Sequence, residues 1–116
     1  MNTKPQPKET KMKATLNTLV DTALIKDRAT ASGGRWTARK NVHQDHTAIT
    51  ITHHTTVMLV ITDNTVTPIS AGWGSHSDIR GINRILCGAG IPLTYRDIYG
   101  PYDPGQRTIE LEPHTW

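Results

Sequence analysis

Residues 47–69 read TAITITHHTTVMLVITDNTVTPI, and the fold class turns on their pattern. From Thr47 to Thr52 apolar and polar side chains alternate, with Ile49 and Ile51 pointing one way and Thr50 and Thr52 the other. A period of two is the mark of a strand with one buried face. Val57-Met58-Leu59-Val60-Ile61 is an unbroken apolar run, which predicts that the strand from Val57 to Thr62 is covered on both faces. Asp63-Asn64 is a turn signal for a tight hairpin onto Thr65 to Ile69. Pro68 has no amide proton to donate, so that last strand is expected at a sheet edge.

Upstream, Arg35 to Val42 also reads with a period of two. Trp36, Ala38 and Lys40 fall on one face, and Arg35, Thr37 and Arg39 on the other. The polar stretch from Asn41 to His46 is a turn. Nearer the N-terminus, Met12, Leu16, Leu19, Val20, Ala23 and Leu24 recur at helical spacing, with Thr10 as N-cap and Ala31-Ser32-Gly33-Gly34 as the stop. Downstream, Gly72, Gly74 and Ser75 break the chain. A helix over about 76–87 follows, capped by Ser75 or Ser77, with Asp78 in its first turn and Ile79, Ile82 and Leu86 as its buried stripe. Gly88 is its expected stop, and Gly81 inside it allows close packing at a cost of about 1 kcal/mol in helix propensity. Thr94 to Tyr99 and Arg107 to Glu112 read as a hairpin around a Gly- and Pro-rich loop.

The expected fold is α+β: an antiparallel sheet of about four to six strands, with an N-terminal amphipathic helix and a second short helix (about 76–87) packed on it. Residues 1–10, with Pro5, Pro7, Lys4 and Lys8, read as a disordered basic arm, and residues 11–116 as a single domain. Phe is absent, so Ile, Leu and Val must carry the core. No apolar run approaches the roughly 20 residues that span a bilayer, and no secretory segment opens the chain; the expectation is a cytoplasmic protein with no membrane contact. Cys87 is the single cysteine, which excludes an internal disulfide, and a buried thiol is its expected state.

The net charge of +3 is unevenly placed. Residues 1–40 hold nine Lys or Arg against three acids, a balance of +6, whereas residues 41–116 hold four against seven, a balance of −3. Arg35, Trp36, Arg39 and Lys40, supported by Lys11 and Lys13, combine cations for phosphates with an indole for a base. They are the candidate nucleic-acid or anion-binding residues. The competing reading places Trp36 in the core, with the cations merely flanking it. No phosphate loop, nucleophile elbow or helical histidine pair is present, so no enzyme activity and no cofactor are expected. Six histidines raise a zinc site from His43, His46 and His53 or His54 across a hairpin, but neighbouring and three-apart histidines diverge on a strand.

Ser70-Ala71-Gly72-Trp73 and Ile82-Asn83-Arg84-Ile85-Leu86 resemble the signature of small uncharacterised tailed-phage proteins: a serine, two glycines and a tryptophan, then a Thr-rich cap and an Arg-Ile-Asn-Arg helix. His54, Thr55 and Val57 to Val60 are similar to the strand that precedes it. The likeness spans about residues 35–86, with departures at Ala71 and Gly81, which stand for a glycine and an arginine, and at Gly74 and Asp78, which stand for an arginine and a threonine. It implies a phage accessory protein in the host cytoplasm, and an architectural role in which Trp73 closes the core. The function expected is a non-enzymatic binding protein that contacts nucleic acid or an acidic host surface. The alternatives are an inhibitor of a host protein or defence factor, and a minor virion component.

Overall fold

The computed structural model describes residues 12–100 and 108–111. In chain order these form β1 (Met12–Lys13), a 3₁₀ turn (Leu16–Thr18), α1 (Leu19–Lys26), β2 (Arg28–Ala31), β3 (Trp36–Val42), β4 (Thr47–His53), β5 (Thr56–Ile61), β6 (Thr65–Pro68), α2 (His76–Gly88), α3 (Tyr95–Tyr99) and β7 (Ile109–Glu110). Among the described residues the strands make one sheet in the spatial order β1 to β7. From β2 to β7 every pairing is antiparallel, and β1 joins β2 in parallel. The α+β class and the antiparallel sheet follow the pattern read from residues 35–69. No helix among the described residues is long and apolar enough to cross a membrane.

One face of the sheet is buried. Trp36, Ala38, Ile49, Ile51, Leu59, Ile61 and Val66 point into a common core with Leu19, Val20 and Ala23 of α1, Ile82, Ile85 and Leu86 of α2, and Ile98 and Tyr99 of α3. Among the described residues no helix covers the other face. Val57 is 38% exposed, so the apolar run in β5 does not come from covering on both sides. A bulge is responsible: the register shifts between Ile51 and Thr52, and Met58 and Leu59 are both turned inward and fully buried. The freed Met58 carbonyl accepts the Tyr99 hydroxyl at 2.6 Å and the Ile69 amide at 2.9 Å.

Several expectations are corrected. The N-terminal helix is confined to Leu19–Lys26 and does not begin near Met12; Thr10 lies outside the described residues. Thr15 and Thr18 bond each other and the local backbone, which interrupts the helical run. Arg28–Ala31 is a strand with buried Ala29 and Ala31, where a helix end was expected. Tyr95–Tyr99 is a helical turn and not a strand, because Thr94 and Asp97 form a reciprocal cap. β6 is not an edge: Thr65 and Val66 pair with β7, and Pro68 lies beyond that short pairing, where no amide is required. Cys87 is exposed, since Ile82, Ile85 and Leu86 take the inward positions of α2.

Gly81 has a specific packing role. The Trp36 ring lies against it so closely that an added Cβ would come within 2.1 Å of the indole. The core of this Phe-free chain is therefore built on a tryptophan seated in a notch on a helix.

Candidate nucleic-acid interface

The period of two in β3 divides the residues expected to act together. Trp36 and Lys40 point to the helix-covered side, while Arg39 points to the open face. Trp36 is 2% exposed and stacks on His53 with ring centroids 3.9 Å apart, so its indole does not offer a face to a nucleobase. Lys40 donates to the Leu24 carbonyl at 2.8 Å and pairs with Asp27 at 3.2 Å. It neutralises the carbonyl end of α1. Lys11 lies outside the described residues.

Lys13, Arg35 and Arg39 remain exposed, and Arg28 joins them. The Arg-Ala-Thr-Ala alternation of β2 is the signal that locates Arg28 on the exposed side. In register, Arg28 lies directly opposite Arg39, and Lys13 lies beside Thr30. Across the same face run Thr37, Thr50 and Thr52, with His54 at its end, around a shallow hollow of about 410 Å³. Like charges directly opposite on neighbouring strands oppose folding. Among the described residues the carboxylates close to a basic side chain are Asp27 at Lys40, Asp45 at His46 and Asp78 at His53, so no carboxylate there balances Arg28, Arg35 or Arg39. No family model, curated protein or solved structure matches this chain.

At one end of the open face the chain is fastened by a buried polar latch. His53 Nδ1 donates to Asp78 Oδ1 at 2.7 Å, and both side chains are buried. Asp78 Oδ2 accepts the Trp73 amide at 3.0 Å, the Ser75 amide at 3.1 Å and the Ser75 hydroxyl at 3.1 Å. The Asp78 amide donates in turn to the Ser75 hydroxyl oxygen at 3.2 Å, completing the cap of α2. Burial pushes the Asp78 pKa up, but the hydrogen bonds from His53, Ser75 and Trp73 outweigh it and hold the carboxyl below its ordinary range. An ionised Asp78 requires that Nδ1 of His53 carry the hydrogen, which turns Nε2 toward the Ser77 hydroxyl at 3.5 Å. That last contact sits at the outer limit of a hydrogen bond, and the strong part of the network ends at His53.

Trp36 takes the core position of the competing reading, whereas Trp73, 93% exposed, does not close the core as the resemblance implied. Beyond His53 the stack continues to the exposed His54, whose ring centroid is 4.4 Å away. The histidines weighed as zinc ligands are separated: His43 and His46 stack at the β3–β4 turn, while His53 and His54 lie at the far end of β4, about 20 Å along the strand. Among the described residues no group of three His, Cys, Asp or Glu side chains is placed to hold a metal ion.

Proposed function

We propose that the protein is a small, non-enzymatic phage accessory protein that binds nucleic acid through the open face of its sheet, chiefly by phosphate contacts. The observation that carries the reading is the cross-strand pair Arg28–Arg39, two exposed cations held opposite each other without a balancing carboxylate among the described residues. An arrangement unfavourable to the isolated fold becomes favourable when a polyanion lies across it. Threonine hydroxyls on the same face supply donors of the kind that position a phosphate backbone. The phage assignment is supported by the likeness at Ser70–Trp73 and Ile82–Leu86. In this role Arg28, Arg39, Arg35 and Lys13 contact phosphates, and Trp36 and Lys40 hold the scaffold.

Anisotropy titrations with labelled DNA and RNA at two salt concentrations test the proposal. The wild type is expected to bind with a salt-dependent affinity. The double variant Arg28→Gln/Arg39→Gln should bind roughly ten-fold or more weakly at low salt, with a salt slope reduced by about 2, one for each lost phosphate contact. Both side chains are exposed, so folding should survive. Absence of DNA and RNA binding at low salt would remove the nucleic-acid reading.

A further inference from the structure

We infer that Trp73 is a base-stacking residue and that the preferred ligand is a single strand, an inference that rests on the phosphate-binding reading of the sheet face. An indole is a large apolar body, and leaving one 93% exposed forgoes most of the stabilisation its burial would bring. The backbone beneath it is nevertheless firmly held. Gly72 and Gly74 take φ values of 69° and 70°, conformations that side chains disfavour. A Cβ on Gly72 would meet the Asp78 carboxylate at 2.9 Å, and the Trp73 amide is bonded to that carboxylate at 3.0 Å. Anchored main chain and free ring together present an aromatic surface whose ordering cost is largely met in advance.

Position and charge indicate what the ring meets. Asp78 connects the Trp73 turn to His53; the His53 ring stacks on His54, and the His54 amide donates to the Arg35 carbonyl at 2.7 Å. The turn therefore lies at the His54–Arg35 end of the cationic face. On the first turns of α2, His76 and Arg80 are exposed, whereas Asp78 is buried. Among the described residues the other strongly exposed apolar side chains, Ile25 and Val42, sit on α1 and at the opposite end of β3. The indole has exposed basic residues near it in sequence and, among the described residues, shares no patch with another strongly exposed apolar side chain, which suits a base on an anionic strand better than a greasy protein pocket. Duplex bases are already stacked on one another, so an unpaired base is the available partner.

Binding of Trp73→Ala and Trp73→Phe should be compared with wild type on a single strand, the same strand with abasic positions, and a duplex. Trp73→Ala is expected to weaken single-strand binding roughly ten- to hundred-fold, Trp73→Phe less, with duplex binding nearly unchanged. Wild type should bind the abasic strand as weakly as Trp73→Ala binds the intact one, and strand binding should quench tryptophan emission in wild type but not in Trp73→Phe. If wild type and Trp73→Ala bind the single strand equally while Arg28→Gln/Arg39→Gln binds weakly, the stacking role is overturned and the sheet reading stands. If wild type binds no strand at low salt, both fall.

Discussion

Asp78→Ala is expected to lower the stability of the protein by about 3–5 kcal/mol, a large share of what a domain of this size possesses. The carboxylate is nearly fully buried and accepts from four donors on three separate segments: His53 at the end of β4, the Trp73 amide in the turn, and the Ser75 amide and hydroxyl at the start of α2. Alanine would leave those donors without an acceptor and remove the return half of the α2 capping box, with the Ser75 hydroxyl still accepting from the amide of residue 78. Asparagine would preserve the shape, but its amide nitrogen must face either His53 Nδ1–H or the three donors at Oδ2, so a smaller loss of about 1–3 kcal/mol is expected. Ser77→Ala is the control, because its side chain contributes only the 3.5 Å contact, and a change within about 0.5 kcal/mol is expected. Urea denaturation of the three variants measures the order directly. An Asp78→Ala variant as stable as wild type would show that the latch does not hold the turn to the sheet.

The same carboxylate predicts a pH dependence. Its folded pKa lies below the ordinary aspartate value of 3.8, so the unfolded chain takes up the proton first as the solution is acidified. The stabilisation is complete at pH well above 3.8 and is lost as pH falls through the lower folded value. Wild type should therefore lose stability steeply below about pH 4, and Asp78→Asn should show a flatter decline over the same range.

The parts of the fold legible in the sequence are those where one periodicity ran long enough to exclude another. β4 alternates from Thr47 to His53, and the amphipathic stripe of α2 continues from Ile79 to Leu86, so both were readable. β2 was hidden because its buried positions are Ala29 and Ala31, residues as compatible with a helix as with a strand. In α3, Tyr95, Ile98 and Tyr99 look like a strand, although Thr94 and Asp97 carry a capping signal; five residues are too few for a helical period to emerge. At the candidate interface the alternation of residues 35–40 already assigned Arg39 and Trp36 to opposite faces. Proximity in sequence nevertheless grouped them, while Arg28, which register brings opposite Arg39, was left out. The alternation allowed Trp36 an inward position, but what seats it there and what exposes Trp73 lie far along the chain or in the turn's own bonding. Trp36 is buried because Gly81, far along the chain, leaves room for its ring, and Trp73 is exposed because Asp78 fixes the backbone on which it sits.

Gly81→Ala and Trp36→Ala should each destabilise the protein, and together they should partly cancel. Trp36→Ala empties a core site packed between His53 and α2, for an expected loss of about 3–5 kcal/mol. Alanine at position 81 would gain about 1 kcal/mol from helix propensity alone. In wild type, however, its Cβ falls 2.1 Å from the indole, and the ring cannot simply retreat because His53 is stacked on it. The overlap must be relieved by moving α2 off the sheet, so a net loss of about 1–3 kcal/mol is expected. In the Trp36→Ala background the obstacle is gone and the added methyl occupies part of the vacated space. There Gly81→Ala should become stabilising by about 1 kcal/mol, which reverses its sign. Thermal or urea unfolding of the four proteins gives the coupling energy. If Trp36→Ala proves too unstable to measure, Trp36→Leu serves the same cycle with a smaller void. Coupling near zero would mean that the ring does not rest on the helix at position 81, and the account of how a core without phenylalanine is filled would have to be abandoned.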